Sequence, residues 1–322
     1  MSRVPAIGLV NNARSERNRR GMADLEPVLR AHPEIVRFDF TGPGGLREIA
    51  RDLGRLKPEL IVINGGDGTV QGLLTELLEE RPLDPVPPIA ILPRGMANMT
   101  AADCGLRRRG PLALERLITV ARRGLLDRVT VRRHVLRVAG LADGSVQRGM
   151  FLGAAGITDA IRLCKSRVHS LGFKGELAHL VTLTGLLWGL LRNRRPPGML
   201  EGEPVAIRFE DGEVREGRQL LLLATTLDRL VLASRPFWNC FARPFRFTAI
   251  RHPPPGIVRR ALSVLYGGDR RALPEDSYFS RGGERVELEL EGEITIDGQF
   301  YRPEPGRPLV VTAPDRLRFV RL

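Results

Sequence analysis

Short apolar runs alternate with amphipathic segments through the first third of the chain. The apolar runs predict strands, and the segments between them have the spacing of helices. The predicted strands are 5–10, 35–40, 60–63 and 89–92, and the predicted helices are 18–30, 46–56 and the leucine-rich segment 73–78. Strands that alternate with helices at this spacing indicate βαβ units and a parallel sheet with helices on both faces.

The pattern changes near Leu126, where closely spaced alternating runs replace the strand–helix order. These runs lie at 129–131, 134–138, 150–152, 205–209, 219–224 and 285–290. Runs of this kind, with turn residues after them, are typical of a mainly antiparallel sandwich or open barrel. We therefore predict an α/β domain over 1–125 and a mainly antiparallel β domain over 126–322, with a last strand that can return to the first domain.

One apolar segment, 175–192, predicts a helix inside the second domain. Its longest apolar run, 180–191, is too short to span a bilayer. The favoured interpretation is a core helix. The alternative is a lipid-entry lip at 178–191, where the arginines that follow it would face an anionic membrane.

Composition narrows the classes of partner. The chain has 322 residues and a formal net charge of +13, which suits nucleic acid, anionic lipid or nucleotide phosphates. Aromatic residues make up only 5% of the chain and do not interleave with basic ones, so we expect no nucleic acid partner. The three cysteines and five histidines are scattered, so neither disulfides nor a metal cluster of these residues is expected. No N-terminal segment has the pattern of a signal peptide, and a cytoplasmic protein is expected.

The most informative segment is 61–70, Ile-Val-Ile-Asn-Gly-Gly-Asp-Gly-Thr-Val. A β-branched run enters a turn with three glycines, and a helical segment leaves it. Glycines allow the backbone to approach a ligand closely, and the N-terminus of the following helix suits a phosphate. Asp67 is poorly placed for phosphate but well placed for magnesium or a hydroxyl, and Thr69 can add a hydroxyl. A tight βα loop whose aspartate caps the helix is an equally good interpretation.

Two familiar phosphate-binding motifs are excluded. The chain contains no Gly-Lys dipeptide, so it has no Walker A loop, and no G-x-G-x-x-G follows a strand. A phosphate site in this protein must therefore use another arrangement.

Five short motifs together resemble the diacylglycerol kinase catalytic-domain family, which includes sphingosine kinases and bacterial lipid kinases. They are Asn-Asn-Ala-Arg-Ser at 11–15, Gly-Gly-Asp-Gly-Thr at 65–69, Pro-Arg-Gly-Met-Ala-Asn at 93–98, Gly-Ile-Thr-Asp-Ala at 156–160 and Ile-Thr-Ile-Asp-Gly-Gln at 294–299. The glycine motif alone is shared with phosphofructokinases and NAD kinases. The five motifs in this order, over nearly the whole length, form a specific signal.

The resemblance implies an α/β nucleotide-binding domain, a β-rich substrate domain and an active site in the cleft between them. The implied reaction transfers the γ-phosphoryl group of ATP, with Mg²⁺, to the hydroxyl of a lipid. Asp297 would be the general base and Asp67 a second catalytic residue, and Asp67 and Asp159 would belong to the metal network. The implied nucleotide contacts are Asn11, Gly65, Gly66, Gly68, Thr69, Gly95 and Asn98. The structural alternative for Asp297 is a turn residue before Gly298.

Several positions depart from the family pattern. Met96 replaces a threonine, Gln71 and Gly72 replace Asn-Glu, Asn12 replaces a proline, and Gln299 replaces a glutamate. Loss of a hydroxyl and a carboxylate weakens phosphate and metal coordination together.

Three functional hypotheses follow. The leading one is an ATP-dependent lipid kinase of bacterial type, acting on a diacylglycerol-like or other long-chain lipid while peripheral to the inner, anionic face of the membrane. The alternative is a catalytically weak or inactive protein of the same fold that binds nucleotide or lipid. An NAD kinase-like enzyme is disfavoured by the motifs at 93–98 and 294–299.

Overall fold

The structure is a computed structural model that describes residues 5–13, 16–42, 44–95, 97–106, 110–162, 201–240, 242–269 and 271–322. The helix predicted at 175–192 and the departure at Met96 lie outside the described residues. The chain divides into two compact units, Met1–Arg133 with Asp315–Leu322, and His134–Pro314.

The first unit is built on a parallel sheet. Its strands are β1 (Ile7–Asn12), β2 (Ile35–Phe40), β3 (Leu60–Gly65) and β4 (Ile89–Pro93), and its helices are α1 (Glu16–Ala31), α2 (Gly45–Leu56), α3 (Asp67–Glu79), α4 (Met99–Cys104) and α5 (Pro111–Arg122). The strand order is β2-β1-β3-β4, and each neighbouring pair is parallel. The α/β fold predicted for the N-terminal part is confirmed.

The inner strands of this sheet, β1, β3 and β4, are buried on both faces, which explains why they read as apolar runs, whereas the edge strand β2 carries the exposed Arg37 and Asp39. On one face, Leu9 and Val62 share a buried cluster with Leu25 of α1 and Leu114 of α5. On the other face, Leu53 of α2 packs over β1 at Gly8, where an added β-carbon would lie 2.5 Å from the Leu53 Cδ2.

The loops that follow β3 and β4 bring the glycine motif and the motif at 93–98 to the same edge of the sheet. In parallel strands the carboxyl ends lie at one edge of the sheet. β3 ends at Gly65 and α3 begins at Asp67, so the glycine motif forms the turn at that edge. β4 ends at Pro93, which is the register partner of Gly65, so the motif at 93–98 starts beside it.

The second unit is mainly antiparallel, as predicted. Its elements are β5 (Thr130–Ala139), β6 (Gln147–Gly149), β7 (Phe151–Ala155), β8 (Glu203–Phe209), β9 (Val214–Thr225), β10 (Phe245–Arg251), α6 (Ile257–Tyr266), β11 (Tyr278–Gly283), β12 (Arg285–Glu289), β13 (Ile294–Ile296), β14 (Gln299–Tyr301) and β15 (Leu309–Val320). Residues 156–162 are also helical. Its hydrophobic core is formed by side chains from these strands, among which Phe245, Phe247 and Leu222 are fully buried.

The chain crosses between the units within two strands. β5 leaves the first unit after Arg133, and β15 re-enters it at Asp315. Near its end, Phe319 pairs in parallel with Ile89 of β4, and its side chain is fully buried.

We find no helix among the described residues that combines the length and apolarity needed to cross a membrane.

Candidate active site

A chain of hydrogen bonds runs across the carboxyl ends of the four strands of the first unit. Asn11 Nδ2 donates to Asp39 Oδ1 at 2.6 Å, and Asn64 Nδ2 donates to Asn11 Oδ1 at 2.9 Å. Arg94 Nε donates to Asn64 Oδ1 at 3.2 Å. Asn11 and Asn64 are almost fully buried, so these bonds satisfy groups that would otherwise be costly to bury. Asn11 therefore holds β1 to its neighbours at the edge where the loops emerge.

The loops after β3 and β4 meet through two glycines. A β-carbon built on Gly66 would lie 2.7 Å from the Gly95 Cα, and one built on Gly95 would lie 2.7 Å from the Gly66 Cα. Gly65 has a similar close neighbour, since its β-carbon would lie 2.6 Å from the Thr69 Cβ. Arg94 N–H donates to the Gly65 carbonyl at 3.1 Å. Only residues without side chains allow the two loops to approach this closely.

Asp67 is buried under the second of these loops. Its Oδ2 accepts the Met99 N–H and its Oδ1 accepts the Thr100 N–H, each at 3.1 Å. Burial raises the pKa of Asp67, and the N–H groups of Thr100 and Met99 oppose that rise. Asp67 thus caps the N-terminus of α4, whereas the capping interpretation of the sequence placed it on the helix that follows β3.

Asn98 closes the loop that follows β4. Its backbone is left-handed, with φ 48°, a conformation that asparagine tolerates. Its Oδ1 accepts the Gly95 N–H at 2.7 Å, and its Nδ2 donates to the Gly95 carbonyl at 2.8 Å. Both amide atoms of the side chain are therefore bound to one residue, which fixes Gly95 against Gly66.

The start of α3 is suited to an anion. The Gly66 carbonyl accepts the N–H groups of Thr69 and Val70, which closes the first turn of the helix. The N–H groups of Asp67 and Gly68 belong to the turn that lacks intrahelical acceptors, and the helix runs for 13 residues behind them. The Thr69 hydroxyl lies in the same turn and accepts a bond from Asn12 Nδ2 at 3.4 Å. This arrangement can present backbone N–H groups to a phosphate.

Asp297 lies in the second unit, in a two-residue turn between β13 and β14. Asp297 has φ 47° and Gly298 has φ 82°, as a type I′ hairpin requires. Asp297 is almost fully buried, and its oxygens accept the N–H groups of Met150 at 2.8 Å and Phe151 at 3.0 Å. The turn interpretation describes the backbone, and the carboxylate is also held in a fixed orientation.

Asp159 lies in the helical residues 156–162 and lines an acidic pocket of the second unit. Glu203, Glu291 and Glu293 also line this pocket, together with Arg162. Burial raises the pKa of Asp159, and the nearby charge of Arg162 opposes the rise.

The described residues contain no ready-made cluster of side chains for a metal ion. No group of three or more histidine, cysteine, aspartate or glutamate side chains among them could hold a metal ion. Asp67 has each oxygen bonded to a backbone N–H and belongs to the first unit, while Asp159 belongs to the second. The assignment of both residues to a metal network stays a prediction.

Three of the residues that depart from the family pattern have contacts or exposure that the structure describes. Gln71 is buried in α3, where its Nε2 lies 3.4 Å from the Thr75 Oγ1. A β-carbon on Gly72 would lie 2.6 Å from the Leu46 Cδ1, so this glycine allows α2 to pack closely on α3. Gln299 is exposed in β14.

Three residues of the hydrogen-bonded chain were not predicted from the sequence as site residues: Asp39, Asn64 and Arg94. Asn64 gave one usable signal, because it is a polar residue in an otherwise apolar buried strand. Such a residue needs a polar partner. The partners themselves depend on strand order, which sequence pattern alone does not give.

Comparison with known proteins gives a sequence family for the first part of the chain and a fold for the whole of it. Residues 6–128 match the sequence model of the diacylglycerol kinase catalytic domain, which confirms the resemblance over that stretch. A solved structure described as "a putative diacylglycerol kinase" from Bacillus anthracis strain Sterne superposes with a TM-score of 0.64 at 16% identity, covering 100% of this chain and 99% of that one. Another, described as a diacylglycerol kinase from the same strain, gives 0.59 at 14% identity, covering 98% and 96%. At these identities the two structures support the fold. No curated protein sequence matches the chain significantly.

Proposed function

We propose that this protein is an ATP-dependent lipid kinase that transfers the γ-phosphoryl group of Mg-ATP to a diacylglycerol-like or other long-chain lipid alcohol. The observation that carries the proposal is the contact of Gly66 with Gly95 beside the start of α3, inside the stretch that matches the kinase catalytic domain. The reaction would take place while the protein is cytoplasmic and peripheral to the inner, anionic face of the membrane.

The first unit would bind the nucleotide phosphates. The loop of Gly65, Gly66 and Gly68 presents backbone N–H groups at a helix N-terminus, and Thr69 adds a hydroxyl. Gly95 completes the loop pair. The proposal is supported by hydrogen bonds within the protein that hold both loops in place. Asp67 accepts two N–H groups at the start of α4, and Asn98 is bound to Gly95.

Asn11 and Arg94 would act at the same edge. Asn11 is fixed between two strands and orients the end of β1 toward the nucleotide. Arg94 starts the second loop, and its Nε is bound to Asn64. A guanidinium held in this way suits the charge of a transferring phosphoryl group.

Asp297 would accept the proton of the lipid hydroxyl. A general base must have a fixed position relative to the proton it takes, and the N–H groups of Met150 and Phe151 fix this carboxylate.

The test is transfer of radiolabel from ATP to a panel of lipids in detergent micelles with magnesium, with NAD included as a further acceptor. We expect label in a lipid and a loss of about 10²–10⁴-fold in rate for Asp297→Asn with unchanged ATP affinity. The matched control is Asp143→Asn, another Asp-Gly turn of the second unit, whose carboxylate binds only the nearby Ser145 and which should keep full activity. Unchanged turnover of Asp297→Asn would remove this residue from the mechanism.

A second candidate is a protein of the same fold that binds nucleotide or lipid without transfer. The observation in its favour is that both oxygens of Asp67 and of Asp297 already accept backbone N–H groups. Measurable ATP binding with no label in any acceptor would favour it.

A further inference from the structure

The outer face of α6 is unusually apolar. Among the described residues, five large hydrophobic side chains are well exposed: Val36, Leu112, Val214, Leu262 and Tyr266. Two of them, Leu262 at 71% exposure and Tyr266 at 49%, are four residues apart on α6 and therefore lie on one face of the helix. Val258 and Leu265 flank that face and are half-buried.

The helix is firmly anchored on its other side. Ala261 and Val264 are buried, and Val264 belongs to an apolar cluster with Trp238 and Tyr278. Arg271 donates to the Val264 carbonyl and stacks over the Trp238 ring, 5.1 Å from its centre. The exposure of Leu262 and Tyr266 is therefore a property of a packed helix.

A second apolar element is bonded to α6. The short turn at 231–233 contains half-buried Val231 and Leu232. Tyr266 Oη donates to the Leu232 carbonyl at 3.1 Å, and the Arg235 N–H donates to the Leu265 carbonyl at 2.7 Å. Leu232 has φ 56°, a left-handed conformation that is unfavourable for leucine. Leu232, Leu262 and Tyr266 thus belong to one surface, which we call the α6 patch.

Exposed arginines lie on α6 and in the segment around the turn at 231–233, and the acidic Asp228 of that segment is paired with Arg246. Arg229, Arg235 and Arg259 are exposed, and none of the three forms an ion pair with a described residue. Helix α6 itself carries no acidic residue. The nearest acidic residue after the helix is Asp269, which lies close enough to Arg271 to affect its pKa.

We propose that the α6 patch docks on an anionic lipid bilayer, with Leu262, Tyr266 and Leu232 entering the interface. Arg229, Arg235 and Arg259 would remain at the headgroup level. An apolar helix face flanked by arginines has the chemistry of an interfacial membrane helix, because both burial of apolar area and attraction to anionic lipid contribute to binding. The choice of a bilayer as the occupant rests on the proposed function.

Charge complementarity distinguishes the bilayer from a second copy of the chain. In a two-fold dimer the same patch lies on both subunits, so one interface would contain two sets of these arginines. Like charges across an interface oppose association, whereas anionic headgroups neutralise all three.

The test is co-sedimentation with phosphatidylcholine vesicles that contain or lack phosphatidylglycerol. We expect the wild type to bind the anionic vesicles. The double variant Leu262→Ser, Tyr266→Ser should bind them with an affinity reduced by about tenfold or more. The variant Arg235→Gln, Arg259→Gln should also bind more weakly, with a smaller dependence on salt. The matched control is Leu112→Ser, at a leucine of α5 with 61% exposure, which should bind as the wild type does.

Two further measurements separate the outcomes. Melting temperatures show whether each variant is folded, and the micelle assay measures lipid phosphorylation without a bilayer. Patch variants that keep micelle turnover but lose vesicle binding support the proposal. Patch-dependent vesicle binding in a protein without kinase activity would support docking and contradict the proposed function. The proposal that the α6 patch docks on a bilayer would be overturned if the double variant bound vesicles as well as the wild type does. It would also be overturned if the wild type were a dimer that the double variant converts to monomers without a change in vesicle binding.

Discussion

Gly66 and Gly95 are in backbone contact, so close that a β-carbon on either one would lie 2.7 Å from the Cα of the other. The two residues come from different loops, which follow neighbouring parallel strands. This contact sets the separation of the two loops at the start of α3. Any side chain at either position must push the loops apart.

Gly95→Ala should therefore destabilise the protein by about 1–3 kcal/mol, since the methyl group meets backbone that has little freedom to move. ATP binding should weaken as well, because the loop at α3 shifts. Urea unfolding and ATP titration measure the two effects. Gly42→Ala is the control, because a β-carbon there has nothing within 4 Å, and it should change stability by less than about 0.5 kcal/mol. Equal effects of the two substitutions would contradict the role of the glycine contact.

The bond between Asn64 and Asn11 should appear as coupling in a double-mutant cycle. Each single change to alanine removes this bond from the other buried amide, which keeps its remaining partners, at a cost of about 1–3 kcal/mol. The two losses should not add, and a coupling energy of about 0.5–3 kcal/mol is expected from urea unfolding of the four proteins. A cycle of Asn11→Ala with Thr119→Ala, an exposed position on α5 with no shared partner, should be additive. Additivity of Asn11 with Asn64 would show that the chain of bonds does not act as a unit.

Asp67 should make stability depend on pH in a defined direction. Burial raises its pKa in the folded protein above the unfolded value, so the folded state takes up a proton more readily. Its favourable contribution is complete below the unfolded pKa of about 3.9 and is lost as pH rises through the folded pKa. Asp67→Asn removes this titration. Because the wild type loses stability as Asp67 ionises, the free energy of unfolding of the variant relative to the wild type should increase from pH 4.5 to pH 8. Urea unfolding at several pH values measures this difference, and a constant difference would show that the pKa is not raised.

Much of the first unit could be predicted from sequence because its inner strands are buried on both faces. The runs at 35–40, 60–63 and 89–92 are within two residues of the strands observed. The edge strand β2 contains Arg37 and Asp39, and their alternation with Phe38 and Phe40 has the period of a half-buried strand. The second unit was predictable as a class but not as a topology. Pairings such as β13 with β7 join residues about 140 positions apart, and periodicity carries no information about such partners.

The candidate site was predictable in its loops and less so in its contacts. Glycine spacing identified the turn at 65–68, because close backbone approach is a local requirement. The partner of Asp67 was not predictable in this way, since the aspartate caps a helix that begins 32 residues later. The bonds of Asn64 and Arg94 depend on which strands are neighbours. The turn and its glycines could therefore be predicted from the sequence, whereas the contacts between the loops could be identified only from the fold.

The return of β15 to the first unit has a consequence for synthesis on the ribosome. Until residues 315–322 emerge, the edge of β4 at Ile89 lacks the strand that ends in Phe319 and Val320. Both of these side chains are fully buried in the finished unit. During translation the nascent first unit therefore exposes this edge of its sheet while the second unit is being made. Loss of residues 315–322 would therefore remove a buried strand from the first unit, although most of that unit is synthesised first.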